Sequence, residues 1–157
     1  MDFSSLNPFH KKAPMISEAD QALMVAAIQK AESRTTGEVR VFVEHRCTYV
    51  NPMDRAREIF AGLGMFRTER RNAVLIYLAI TDKQYAIFGD EEIYHRAGGE
   101  VFWASAASLL RGYLKAGDVP GGLCACIDAL GDALATHFPY DSSVDKNELP
   151  DEIVFGK

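Results

Sequence analysis

"AVLIYLAITDKQYAIFGDEEI", residues 73–93, decides the fold. Ala73 to Ile80 form eight apolar residues without alternation, the pattern of a central strand covered on both faces. Thr81, Asp82 and Lys83 then make a connection too short for a crossover, so "QYAIF" must return as an antiparallel strand. The hairpin ends on Asp90, Glu91 and Glu92. Three adjacent carboxylates repel one another; water screens them on a surface turn, whereas a site that holds a cation requires them.

The segments on either side build outward from this hairpin. Ser17 and Asp20 make an S-x-x-D helix start, and Leu23, Ala27, Ile28 and Ala31 continue one apolar face to an end near Thr35. "GEVRVFVEH" alternates, with Val39, Val41 and Val43 against Glu38, Arg40 and Glu44, which predicts a strand with one face packed more deeply. Asn51-Pro52 opens a second helix through Met53, Ala56, Phe60 and Leu63, closed by Gly64. After the hairpin, Phe102, Ala106, Leu109 and Tyr113 predict one helical stripe, and Leu123, Ile127, Leu130 and Leu134 another, with "AGDVPGG" between them.

Strand, helix, strand, strand with flanking helices gives a three-layer α/β/α sandwich around a short mixed central sheet. A right-handed crossover makes the first two strands parallel. The expected organisation is an N-terminal extension over residues 1–15, one domain over 16–139, and an acidic tail over 140–157 that packs through Leu149, Ile153 and Phe155.

At 157 residues the chain suits one domain with a core that needs no staples. Seventeen basic against 22 acidic residues, without a lysine- or arginine-rich block, argue against nucleic acid as a partner. Residues 1–15 contain no apolar run of signal-peptide type, and Thr81, Asp82 and Lys83 break the longest apolar stretch, so no membrane association and a cytoplasmic location are expected. Three cysteines, Cys47, Cys124 and Cys126, cannot all pair and read as structural thiols in a reducing compartment. Asp118 reads as a helix cap, and Phe102 and Trp103 as core anchors.

Function is expected where the topology gathers polar residues. Glu38 begins the first strand, Asn72 precedes the second, and Asp90 ends the third, so all three fall at one edge of the sheet, with Arg70 and Arg71 beside them. Carboxylate oxygens with an amide carbonyl suit a hard cation, calcium or magnesium, with Glu38, Asp90 and Glu91 as metal ligands. Arg70, Arg71 and Asn72 are the binding residues, arginine being suited to two-point contact with phosphate. Metal plus arginine fits phosphate ester hydrolysis, with Asp90, Glu91 and Arg71 as the catalytic set and a phosphorylated substrate. The alternative is a non-enzymatic module in which the cation organises a surface for a protein partner.

"TTGEVRVFVE", "FRTERRNAVLIYLAITDKQYAIFGDEEI" and "FWASAASLLRGYLKAGDVPGGLCACIDALGDAL" together resemble the TPM domain over roughly residues 15–140. The most specific pieces are Thr36-Gly37-Glu38, Arg71-Asn72 before the apolar strand, and Gly89-Asp90. The resemblance implies an α/β sandwich and divalent cation binding in some members, and the family includes a thylakoid protein with acid phosphatase activity. Many members have Gly-Leu-Glu-Gly where this chain has Gly89-Asp90-Glu91-Glu92, which matches Glu91 to the family's glutamate.

Overall fold

The computed structural model describes residues 15–143 and 149–156. A four-stranded sheet has the order β3-β2-β1-β4, with β1 at Glu38–Glu44, β2 at Ala73–Ala79, β3 at Gln84–Gly89 and β4 at Val154–Phe155. As expected, β1 and β2 are parallel, in the register Glu38 opposite Ala73, and β3 returns antiparallel along β2 with Val74 opposite Gly89. β4, which the sequence pattern does not announce, lies parallel to β1 opposite Phe42 and Val43.

Among the described residues five α-helices flank the sheet: α1 (Glu18–Glu32), α2 (Pro52–Gly62), α3 (Glu91–Arg96), α4 (Glu100–Lys115) and α5 (Val119–His137). On one face Val39, Val41, Val43, Val74, Ile76, Leu78 and Ile87 pack against α1, α4 and α5. On the other, Phe42, Leu75, Tyr77 and Ala86 pack against Ile59 and Phe60 of α2. The sheet is therefore the middle of three layers.

Caps fix the helix starts as the sequence implies. The Ser17 hydroxyl accepts from the Asp20 amide at 3.1 Å, the Asn51 side chain from the Met53 amide at 2.9 Å, and Asp118 from the Gly121 amide at 2.9 Å. All three cysteines are free. α5 has the length and apolar composition to cross a membrane, but its Leu123, Cys126, Ile127, Leu130 and Leu134 are buried in the core.

Two expectations need correction. The buried stripe of α4 is Trp103, Ala106 and Leu110: Ala106 is as expected, but Trp103 and Leu110 replace Phe102 and Leu109, and Leu109 and Tyr113 are exposed. The cause is Trp103, whose indole lies over Gly89 so closely that a Cβ there would stand 2.5 Å from a ring carbon. Second, all seven residues of β1 are buried, its polar face included. Burying Glu38, Arg40 and Glu44 obliges each to find polar partners, because an uncompensated charge in the interior is strongly destabilising.

Candidate cation site

The three carboxylates that end the hairpin open α3. Asp90 is its N-cap, accepting from the Glu91 amide at 2.8 Å, and Glu91 and Glu92 occupy the first turn. There the unpaired amides and the positive end of the helix dipole favour negative charge, which offsets the mutual repulsion without any ion. Asp90 is also claimed by Arg71: Nε lies 2.8 Å from Oδ2 and a second guanidinium nitrogen 2.8 Å from Oδ1. Arg71 holds this fork from a left-handed backbone position, φ 52°, and its carbonyl accepts from the Glu92 amide. Both oxygens of Asp90 are thus occupied, and Glu91, mostly exposed, lies 3.9 Å from the same guanidinium.

Glu38 and Asp90 share a rim, as expected, but a strand separates them. The Glu38 Cα is in register with Ala73, and the Ala73 carbonyl accepts from the Asp90 amide at 2.9 Å. Two interstrand spacings put their Cα atoms about 10 Å apart. Their side chains are engaged on opposite sides of β2, Asp90 with Arg71 and Glu38 at the outer edge of β1. Among the described residues no cluster of metal-binding type includes Asp90 or Glu91.

The remaining candidates are also placed. Asn72 is fully buried; its side-chain amide donates to the Thr36 hydroxyl at 3.1 Å, and its backbone carbonyl accepts from the Glu38 amide at 3.4 Å. Its Oδ1 has no hydrogen-bond partner. Asn72 therefore ties the start of β2 to the start of β1. Arg70 pairs with Asp141 at 3.4 Å. Arg70, Arg71, Arg96 and His137 line a cleft of about 620 Å³, although Arg96 already contacts Glu92 and stacks over Phe138.

The structure gathers carboxylates elsewhere, at the free edge of β1. Because β4 covers only Phe42 and Val43, the outward amide of Val39 has no strand to bond. The Glu32 carboxylate, from the last turn of α1, accepts it at 2.9 Å. Glu32, Glu38 and Asp151 then place one oxygen each within 4.8 Å of one another. Burial pushes the Glu32 carboxyl far above the usual carboxylate range, reinforced by its hydrogen bond to Asp151 and by the charge of Glu38. Arg40 faces the same group: burial lowers its pKa, while Glu152, Asp151, Glu32 and Glu38 raise it.

Of this cluster the sequence reading found only Glu38. Glu32 sits on a helix whose polar positions read as solvated, and Asp151 lies in the acidic tail. No spacing rule connects residues 32, 38 and 151, since they meet only when the tail returns to pair with β1.

Oxygen donors at this separation suit a hard cation: two ligands of one calcium ion stand up to about 5 Å apart. No thiol or imidazole belongs to the cluster, so it is ill suited to zinc. At the far end of β1, by contrast, Glu44 is bound in fork geometry by Arg55, at 2.9 and 3.0 Å, and accepts from the Tyr77 hydroxyl at 2.5 Å, which closes that carboxylate to other ligands.

Comparisons with known proteins agree with this architecture. No curated protein matches the chain at a significant level. Among solved structures, the NMR structure of BA42 from the psychrophilic bacterium Bizionia argentinensis is similar over 93% of this chain and 99% of its own, with 34% identity and a TM-score of 0.84. The N-terminal domain of the cg2496 protein from Corynebacterium glutamicum shares the fold, with 19% identity, a TM-score of 0.62, and coverage of 76% of this chain and 74% of that one. The family model of the TPM domain matches residues 10–133, most of the chain and all of β1 to β3. On that match and the likeness to BA42, the chain belongs to the TPM-domain family.

Proposed function

We propose that this TPM domain binds a divalent cation, calcium or magnesium, at the outer edge of β1, through Glu32, Glu38 and Asp151. The observation that carries the reading is the convergence of three carboxylate oxygens within 4.8 Å, from a helix, a strand and the C-terminal segment. Without an ion the group needs a proton on Glu32 to limit repulsion; a cation takes that proton's place. Because the ion would join the tail to β1, its role is to organise a surface, and a protein partner is the natural reader of it.

Titration with calcium and with magnesium, followed by amide chemical shifts, tests this. Shifts centred on Glu32, Glu38, Val39 and Asp151 are expected, unchanged in Asp90→Asn. A flat response at those residues, or loss of the response in Asp90→Asn, refutes the assignment.

A metal-assisted phosphatase is the second reading, favoured by the cleft that Arg70, Arg71, Arg96 and His137 line. Against it, Arg70 and Arg71 already hold carboxylates. Hydrolysis of p-nitrophenyl phosphate above blank, abolished in Arg71→Ala, would favour the enzyme; absence of turnover with a calcium-dependent rise in melting temperature favours the binding module.

A further inference from the structure

β3 is an edge strand, and its outward side is open among the described residues. The Asp90 amide bonds to the Ala73 carbonyl, so the alternation of an antiparallel ladder turns Phe88, Ala86 and Gln84 toward β2. Tyr85, Ile87 and Gly89 therefore point their amides and carbonyls away from the sheet. No described group bonds those outward amides.

Exposed strand edges are usually guarded by charge, proline or a bulge. "QYAIFG" carries no charged residue and no proline, and it pairs residue for residue along β2. It is protected differently, by recession. Five consecutive residues, Tyr85 to Gly89, form the floor of a cleft of about 750 Å³. Asn51, Met53 and Arg57 of the α2 segment make one wall, and Trp103, Ala104 and Ala107 of α4, with Glu100 in its first turn, the other. Because consecutive residues of a strand point to opposite faces, a floor made of all five means that the cleft follows the backbone edge itself.

We propose that this cleft is a β-augmentation site: it receives one extended segment of a partner protein, which adds to the sheet beside β3 and carries an acidic side chain for Arg57. The unbonded backbone groups demand a ligand with a peptide backbone in strand conformation. Ala104 and Ala107 leave room on the α4 wall for the apolar side chains of that segment. Arg57 sets the charge on the α2 wall, opposite Glu100 on the α4 wall, so the acidic side chain faces α2: Arg57 is exposed, its guanidinium lies 5.7 Å from the centroid of Phe88, and no ion pair engages it among the described residues. A second copy of the chain is disfavoured as occupant, because pairing β3 with β3 would bring two sets of α2 and α4 walls into the same space.

Backbone hydrogen exchange on the full chain, with and without a capped hexapeptide of alternating valine and threonine carrying one central glutamate, tests the proposal. In dilute protein the Tyr85, Ile87 and Gly89 amides should exchange fast while Ala86 and Phe88 stay protected. The peptide should slow the three outward amides by about tenfold or more. Arg57→Glu, at an exposed position, should weaken the peptide about tenfold, and a lysine-for-glutamate peptide should recover the loss. Tyr85→Pro, which removes one outward donor and no ladder bond, should abolish the effect.

Protection of the three amides in dilute protein without peptide would mean that the chain covers its own edge and would overturn the proposal. So would protection that appears only as protein concentration rises, which would make a second copy the occupant, and so would a peptide that leaves all three amides unchanged.

Discussion

Replacing Glu32 by glutamine separates the proposed cation site from a structural ion-pair network, because on that proposal it moves stability in opposite directions with and without the ion. At neutral pH the folded protein holds a proton on Glu32 that the unfolded chain releases, since burial, Asp151 and Glu38 raise its pKa from 4.5 to about 10. Each pH unit between an ordinary carboxyl value and a raised one removes about 1.4 kcal/mol of stability. Sharing of that proton with Asp151 reduces the effect, and a gain of about 2 kcal/mol at neutral pH is the expected order of magnitude for the neutral side chain. Glutamine reproduces the bonds: its carbonyl oxygen accepts from Val39 as the carboxylate does, and its amide donates to Asp151 as the carboxyl proton does.

Thermal unfolding by circular dichroism, in chelator and in millimolar calcium, is the assay. In chelator Glu32→Gln should melt about 5 °C above the parent, the shift expected of about 2 kcal/mol in a domain of this size. In calcium the parent should rise and Glu32→Gln should not, because a neutral amide replaces one charged ligand. A variant that melts lower in chelator at neutral or alkaline pH, or that keeps the full calcium response, refutes the reasoning.

Calcium affinity should increase with pH between about 5 and 9, because the Glu32 proton must leave for the ion to bind; calorimetry in buffers of different ionisation enthalpy would read the released proton, and pH-independent affinity would refute it. Without the ion, the same group should make stability fall as pH rises across that window, since its folded pKa lies above its unfolded one. Tyr77→Phe should cost about 1–2 kcal/mol at neutral pH, measured by urea unfolding, by removing a donor from the buried Glu44 carboxylate. Arg55 and Tyr77 lower the Glu44 pKa against the opposing pull of burial, so that contribution is present above the ordinary carboxyl pKa and fades in acid, where the variant and parent should converge. Gly89→Ala should destabilise by about 1–3 kcal/mol and shift the emission of the single tryptophan, because the new methyl meets the Trp103 ring.

The hairpin from Ala73 to Gly89 and the caps at Ser17, Asn51 and Asp118 were legible in the chain because each follows from neighbours a few residues apart, and the parallel β1–β2 pairing because a helix-bearing crossover has one preferred hand. The acidic end of the hairpin was legible as a charge cluster but not as a helix start. Asp90, Glu91 and Glu92 have the same composition in either role, and only the Arg71 fork and the α3 amides tell them apart. The α4 stripe kept Ala106 but turned to Trp103 and Leu110 because periodicity fixes a spacing, whereas the Trp103 contact with Gly89 fixes the phase.

By itself the sequence determined the layers, the strand order from β1 to β3 and the end of the sheet at which Glu38, Asn72 and Asp90 emerge. Tertiary structure alone decided which carboxylates share a site. Hydrophobic patterning reports whether a residue faces the core, and does so locally; the meeting of Glu32, Glu38 and Asp151 depends on a two-residue strand, Val154–Phe155, that returns the tail to β1 and leaves the Val39 amide to a side chain. That closure is a long-range contact with almost no local signature.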